Sequence, residues 1–312
     1  MKIQKEYRGV VVPLITPLKR DHKLDVQAVE NIFLHLYSNG VLPFILGTTG
    51  ESASLPLALK QNYVREAVKN RKPGTKLYAG ISSNTVEESV DFAKYCLDNG
   101  VDAVAATLPS YYKLTEEQMS AYFLTLAEQI QGPLIIYNIP GTTNMSIPLP
   151  LIDQLSYHKH IVGTKDSERS ETRLQESLKL WANREDFSHF LGWAAQSANA
   201  LINGSDGLIP STGNLHPGIY TDMVNAVEEG DFEKAHYYQY LSDELGKIYQ
   251  GVGTLGESLW ALKVLMNQYG LCKPYVMPPL HALSKEKAES IVQALGDLFT
   301  KEKIQLTVSS NV

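Results

Sequence analysis

Eight short apolar runs, several of them rich in β-branched residues, recur along the chain, and longer amphipathic segments separate them. Short apolar runs bounded by turn residues are typical of strands buried on both faces, as in a parallel sheet. The runs are GVVVPLI (9–15), LPFIL (42–46), KLYAGIS (76–82), DAVAATL (102–108), PLIIYNI (133–139), HIVGTK (160–165), SHFLGW (188–193) and DGLIPS (206–211). Eight strands alternating with helices predict an α/β fold, a (β/α)8 TIM barrel. A doubly wound open sheet is the competing topology.

The strand signals end after about residue 216, and the remaining segments have the apolar spacing of helices. The first of these segments also contains the eighth helix of the barrel. We therefore expect residues 1–230 to form a catalytic barrel and residues 231–312 to form a C-terminal helical extension.

The composition excludes several classes of function. The net charge of -6 opposes nucleic-acid binding, since domains of that class carry a basic surface. No segment approaches the run of about 20 apolar residues that a membrane-spanning helix needs. The apolar stretch near the N-terminus contains Pro13 and Pro17 and suits a first strand better than a signal peptide. We expect a cytoplasmic protein with a small-molecule partner.

The two cysteines, Cys96 and Cys272, lie far apart and form no pair with the spacing of metal ligands. Neither a disulfide framework nor a structural zinc site is indicated, and we expect two buried, unreactive thiols.

The active site of a parallel barrel lies at the rim where its strands end. Several residues that could bind or react with a ligand follow the predicted strands. They are Gly47–Ser52, Tyr111, Tyr112, Tyr137, Asn138, Lys165, Gly192, Ser211 and Asn214. They supply hydroxyls, glycines and one amine, without a plausible cluster of metal ligands. We therefore expect no metal in the site.

The segment GTTGES follows the second strand and places two threonines between two glycines. Such a turn can direct N–H groups and hydroxyls at an anion such as a carboxylate. Gly47, Thr48 and Thr49 are the candidates for this role. The alternative is an ordinary turn in which Thr49 or Ser52 caps a helix.

Lys165 ends the sixth apolar run, which predicts a side chain that emerges at the rim. Most strand-end lysines are exposed charges, and that is one interpretation. The other is a nucleophile, because partial burial lowers the pKa of a lysine and only the neutral amine attacks a ketone. Tyr137 ends the preceding strand and is placed to move protons for such an amine. Its alternative is a tyrosine at the edge of the core.

Three motifs, GTTGES, YNIP on strand five and GTKDS on strand six, together resemble the dihydrodipicolinate synthase and N-acetylneuraminate lyase superfamily of pyruvate-dependent class I aldolases. The similarity covers most of residues 6–300. It implies that Lys165 forms an imine with pyruvate and that Tyr137 is the proton-transferring phenol. It also implies that Thr48 and Thr49 join the proton relay and hold the carboxylate. Tyr111 matches a tyrosine that acts across a dimer interface, so a homo-oligomer, a dimer or a tetramer, is implied.

The resemblance further implies that the backbone of Gly192 and Ile209 lines the pyruvate pocket. No cofactor is implied, because the protonated imine is itself the electron sink.

Departures from the family pattern bear on the substrate. Synthases of lysine biosynthesis carry an arginine after the YN-P motif to hold aspartate semialdehyde, and this chain has Thr142 there. Sialic acid lyases carry an acidic pair where this chain has Ala194 and Ala195. Ser110 stands where a tyrosine is usual at the lysine feedback site.

We therefore expect an aldolase of 2-keto-3-deoxy sugar acids or of 4-hydroxy-2-oxo acids, acting on a 2-oxo acid and an aldehyde. Ser167, Ser211 and Thr142 are candidates to bind the hydroxyls of the acceptor, although turn chemistry explains each of them equally well. The alternatives are 4-hydroxy-tetrahydrodipicolinate synthase and a non-catalytic sensor that binds a 2-oxo acid.

Overall fold

The computed structural model describes residues 5–304 and 306 and contains a closed parallel barrel of eight strands. Every strand pairs with its neighbours in chain order, and β1 also pairs with β8. That last pairing closes the sheet, so the open-sheet alternative is wrong and the predicted TIM barrel is confirmed. The strands are β1 (Gly9–Pro13), β2 (Leu42–Ile45), β3 (Tyr78–Gly80), β4 (Ala103–Ala106), β5 (Leu134–Asn138), β6 (Ile161–Asp166), β7 (Ser188–Leu191) and β8 (Gly207–Leu208).

Helices cover the outside of the barrel and form the extension. They are α1 (Val26–Ser38), α2 (Leu57–Lys69), α3 (Val86–Asp98), α4 (Glu116–Ile130), α5 (Pro140–Thr143), α6 (Leu149–Leu155), α7 (Glu171–Trp181), α8 (Ser197–Ile202), α9 (Gly218–Glu228), α10 (Phe232–Gln250), α11 (Leu255–Gln268) and α12 (Lys285–Glu302). The boundary proposed at residue 230 falls between α9 and α10. We keep residues 1–230 and 231–312 as the proposed division.

The barrel has two apolar cores because each strand is buried on both faces. The larger one lies between the strands and the surrounding helices. The smaller one includes the rings of Phe44, Tyr78 and Phe190, which belong to three different strands. Tyr78 meets Phe190 edge to face, at 6.2 Å between ring centroids. Inward-pointing side chains thus fill the interior below the rim, so a ligand is confined to the rim.

Helix α11 is the central element of the C-terminal extension. Every residue from Ser258 to Met266 is buried, including the charged Lys263. A helix buried on all sides needs neighbours around it, and α10 and α12 both pack against α11. The extension is therefore built around α11 and is not a set of separate surface helices.

Cys96 and Cys272 are both free and buried, as predicted. Burial raises the pKa of each thiol to about 12, so both remain protonated at neutral pH. Across residues 5–304 and 306, no helix is both long and apolar enough to cross a membrane. The cytoplasmic location stays a prediction.

Candidate active site

The structure places Lys165 and Tyr137 side by side at the carboxyl end of the barrel. Strands β5 and β6 are parallel, and their register pairs Tyr137 with Lys165. The Nζ atom of Lys165 lies 3.8 Å from the centroid of the Tyr137 ring and 5.0 Å from that of Phe44. Only 3% of Lys165 is exposed, so it is not the exposed rim charge of the first interpretation.

The surroundings of Lys165 lower its pKa from the ordinary value of a lysine. The main cause is burial, which disfavours the ammonium form, while Tyr137 opposes the shift by favouring the charge. Within the described residues, Lys165 forms no ion pair with a carboxylate. The arrangement therefore increases the neutral, nucleophilic fraction of this amine.

The phenol of Tyr137 is buried and joins a chain of polar groups. Its oxygen lies 3.3 Å from the hydroxyl of Thr48. Burial on its own raises the pKa of Tyr137, but the positive charge of Lys165 and hydrogen bonds from Lys165, Thr48 and Ser167 outweigh burial and lower the pKa. A phenol with a lowered pKa releases and recovers a proton more readily near neutral pH.

A polar network on the outer side of the same two strands holds this pair in register. Asn138 and Asp166, the residues after Tyr137 and Lys165, are also paired in the sheet. The Asn138 amide donates to Asp166 Oδ1 at 3.1 Å and to Glu168 Oε2 at 3.0 Å. Arg173 Nε donates to Asp166 Oδ2 at 2.6 Å. Arg173 thus neutralises the carboxylate next to Lys165 in the chain.

The Gly47–Ser52 turn lies beside Tyr137 and offers donors to an anion. The carbonyl of Gly47 accepts from Gly50 at 3.1 Å, and that of Thr48 accepts from Glu51 at 3.1 Å. The amides of Thr48 and Thr49, by contrast, make no hydrogen bond to any described residue. Two free adjacent amides in a tight turn are an anion-binding arrangement.

A cavity of about 530 Å³ opens at this rim. Of the predicted site residues, Gly47, Thr48, Tyr137 and Thr142 line it. Its other side is formed by the C-terminal extension, through Leu255, Gly256, Leu259 and Leu280. No arginine belongs to the lining, as far as the described part of the chain shows.

Ser167 and Gly192 lie against each other beside this rim. A side-chain carbon on Gly192 would come within 2.1 Å of the Ser167 hydroxyl, so a larger residue there would force the serine side chain to move. The Gly192 amide also donates to the carbonyl of Asp166 at 2.6 Å, which ties the ends of β6 and β7 together. Ile209 is buried in the inner barrel core with Phe44.

Two predicted site residues, Ser211 and Tyr111, are not among the residues that line the cavity. The hydroxyl of Ser211 lies 2.7 Å from that of Tyr249 in α10. Tyr111 is 79% exposed and its ring meets that of Tyr112 edge to face. Tyr111 is therefore exposed and is not among the residues that line the cavity.

Three features of the site were not found from the sequence. They are the Asn138–Asp166–Arg173 network, the wall that the extension contributes, and a buried ion pair between Glu51 and Lys263. Asn138 and Asp166 each follow a predicted catalytic residue, so the expected pairing of the two strands could have predicted that these two side chains are neighbours. No local pattern marks the other two features.

No group of three or more His, Cys, Asp or Glu side chains in residues 5–304 and 306 is arranged to hold a metal ion.

Comparisons with known proteins agree with this geometry. The profile of the dihydrodipicolinate synthetase family matches residues 6–298. A protein named uncharacterized DapA-like lyase from Thermococcus kodakarensis is 33% identical, over 91% of this chain and 97% of its own. A 4-hydroxy-tetrahydrodipicolinate synthase from Alkalilimnicola ehrlichii is 27% identical, over 93% and 98%. The solved dihydrodipicolinate synthase of Bacteroides thetaiotaomicron superposes with a TM-score of 0.89 at 28% identity, over 94% and 99%.

Proposed function

The chain belongs to the dihydrodipicolinate synthetase family of lyases, and from this membership we propose that it is a class I aldolase acting on pyruvate or a related 2-oxo acid. The observation that carries the proposal is the amine of Lys165, which is buried beside the Tyr137 phenol and pairs with no carboxylate in the described part of the chain.

In the proposed reaction the neutral amine of Lys165 attacks the keto carbon and forms a C–N bond. The resulting carbinolamine loses its hydroxyl as water, with a proton supplied by Tyr137, to give the protonated imine. In the cleavage direction, the Tyr137 phenolate takes the proton of the C4 hydroxyl as the C3–C4 bond breaks. C4 leaves as an aldehyde, and the electron pair of the broken bond remains on C3 as an enamine. Protonation of C3 and hydrolysis of the imine then release pyruvate and restore the amine. In the synthetic direction the same enamine attacks an aldehyde.

The Gly47–Ser52 turn supports the choice of a 2-oxo acid. The free amides of Thr48 and Thr49 suit a carboxylate next to the keto carbon. The hydroxyl of Thr48 also touches the Tyr137 phenol, so the carboxylate site and the proton donor share one residue.

For the aldehyde we propose a hydroxylated, uncharged acceptor, as in 2-keto-3-deoxy sugar acids or 4-hydroxy-2-oxo acids. The cavity lining supports this choice. Thr142 lies in it where a carboxylate-binding arginine would be needed for aspartate semialdehyde, and Thr107 and Ser110 add further hydroxyls. The synthase activity is the second candidate, because relatives such as that of Alkalilimnicola ehrlichii carry that name.

Borohydride trapping tests the proposed imine. Pyruvate and borohydride should leave a stable adduct on Lys165, identified by peptide mass spectrometry, because reduction fixes the C–N bond. Lys165→Ala should carry no adduct. Tyr137→Phe should still be modified at Lys165, but about 10²-fold more slowly, since the proton donor is lost.

Lys60→Ala is the matched control, because Lys60 is a lysine that lines the cavity; this variant should keep the adduct. A folded wild-type protein without an adduct in excess pyruvate would contradict the proposal. If Lys165→Ala also kept the ligand affinity of the wild type, a 2-oxo-acid sensor would be the better interpretation.

Acceptor preference tests the substrate class. The kcat/KM for a 2-keto-3-deoxy sugar acid should exceed that for aspartate semialdehyde with pyruvate by about tenfold or more, because a charged bidentate clamp is missing. Thr142→Arg should raise the rate with aspartate semialdehyde, whereas Thr142→Val, which adds no charge, should not. Comparable wild-type rates with both substrates would favour the synthase.

We also propose that the chain works as a homo-oligomer, a dimer or a tetramer, in which Tyr111 completes the proton relay of a second copy. Its large exposed ring, which does not line the cavity of its own chain, is compatible with a role in trans.

Mixed oligomers test this role of Tyr111. Tyr111→Phe and Lys165→Ala should each lose most activity alone. Subunits of the two variants, dissociated and reassembled together in equal amounts, should recover roughly one quarter of wild-type activity, because half of random dimers then contain one intact site. Recovery no greater than the sum of the two parents would place Tyr111 in its own subunit's site or outside catalysis.

A further inference from the structure

A fully buried ion pair joins the Gly47–Ser52 turn to the C-terminal extension. The carboxylate of Glu51 contacts the ammonium of Lys263, which lies in the middle of α11, and both side chains are 0% exposed. The other oxygen of Glu51 accepts the backbone N–H of Met277 at 2.7 Å. Both partners of this carboxylate therefore belong to the extension, while its backbone belongs to the rim of the barrel.

Lys263 is held from the extension side as well. Its ammonium donates to the carbonyl of Tyr275 at 2.7 Å. The segment after α11 thus contacts both members of the pair, through Tyr275 and Met277. A buried charge that meets both a counter-charge and a carbonyl is restricted in position, because any movement leaves a polar group without a partner.

The backbone conformation of Glu51 connects the ion pair to the Gly47–Ser52 turn. Glu51 has a φ of 57°, in the left-handed region that disfavours residues with a side chain. Its amide donates to the carbonyl of Thr48 at 3.1 Å, so the conformation of Glu51 is coupled directly to the turn. A conformation of this kind persists only where the surroundings hold it. The carbonyl of Glu51 accepts from the Ser54 amide at 2.8 Å, and its side chain is held by Lys263 and Met277.

We propose that Glu51 and Lys263 are positioning residues, through which the extension holds the amides of Thr48 and Thr49 in the orientation that binds the substrate carboxylate. This inference rests on the proposed function. Neither residue is expected to touch the reacting atoms. Loss of the pair should therefore weaken the binding of pyruvate more than it slows imine formation at saturation, because misplaced donors bind an anion poorly.

The dependence of borohydride trapping on pyruvate concentration tests this proposal. In Glu51→Gln, the pyruvate concentration for half-maximal trapping should rise about tenfold or more, while the maximal rate changes less than about threefold. Glu51→Asp, which keeps the charge with a shorter reach, should show a smaller rise. Glu289→Gln is the control, because it removes a carboxylate from the exposed pair with Lys285 in the same extension; both parameters should stay unchanged.

A double variant separates positioning from stability. A single substitution leaves one buried charge unpaired and is expected to lower the melting temperature, whereas Glu51→Gln with Lys263→Met removes both charges and should fold well. Positioning predicts that the double variant keeps the raised half-maximal concentration although its melting temperature recovers. Recovery of both quantities would mean that the pair only stabilises the fold and would overturn the proposal.

Measurements on the wild-type protein separate the failure of the positioning role from the failure of the proposed function. An adduct in the wild type with the same half-maximal concentration in all variants overturns the positioning role alone. A wild type that forms no adduct and binds no pyruvate in calorimetry overturns the proposed function and this inference together.

Discussion

The constraint on which the site depends is the burial of one amine that has no carboxylate partner among the described residues. Lys165 lies between the rings of Phe44 and Tyr137, and water reaches little of it. An ammonium in such surroundings loses hydration that aromatic faces replace only in part. Asp166, the next residue in the chain, is neutralised by Arg173 on the other side of the strand. Burial therefore lowers the pKa of Lys165 and enlarges its neutral fraction, which is what the proposed role as a nucleophile requires.

The rest of the rim is arranged around that amine by two sets of contacts. The pairing of Asn138 with Asp166 locks the strands that carry the phenol and the amine, on the face opposite to the chemistry. The ion pair between Glu51 and Lys263 ties the neighbouring turn to α11. Each set places polar groups in the apolar interior, where they have few alternative partners and so permit few alternative geometries.

Much of this arrangement follows from the sequence because its signals are local. Strands that are buried on both faces produce apolar runs, and the number of these runs predicts a barrel of eight strands. Consecutive strands of a parallel barrel are neighbours, so Tyr137 at the end of β5 is expected beside Lys165 on β6. The ion pair of Glu51 was not predictable in this way. Its partner lies on a helix far along the chain, and the sequence around an isolated lysine in an apolar helix does not indicate which residue the lysine will contact.

The direction of side chains at the rim is likewise not predictable from the sequence. Ser211 follows a strand end, as a binding residue would, yet its hydroxyl is beside that of Tyr249 in the extension. Tyr111 also follows a strand, yet its ring is exposed and does not line the cavity. In both cases the loop or the distant helix decides the direction, and neither is encoded in the strand pattern.

Direct titration of Lys165 tests the central claim most closely. Lysine side chains labelled with ¹³C can be followed by NMR against pH, with Lys165→Ala used to assign the signal. Burial should give Lys165 a pKa clearly below the ordinary value of about 10.4 for lysine. A pKa at or above that value would mean that the amine is a stabilised cation at neutral pH, and the account of Lys165 as the nucleophile would be wrong.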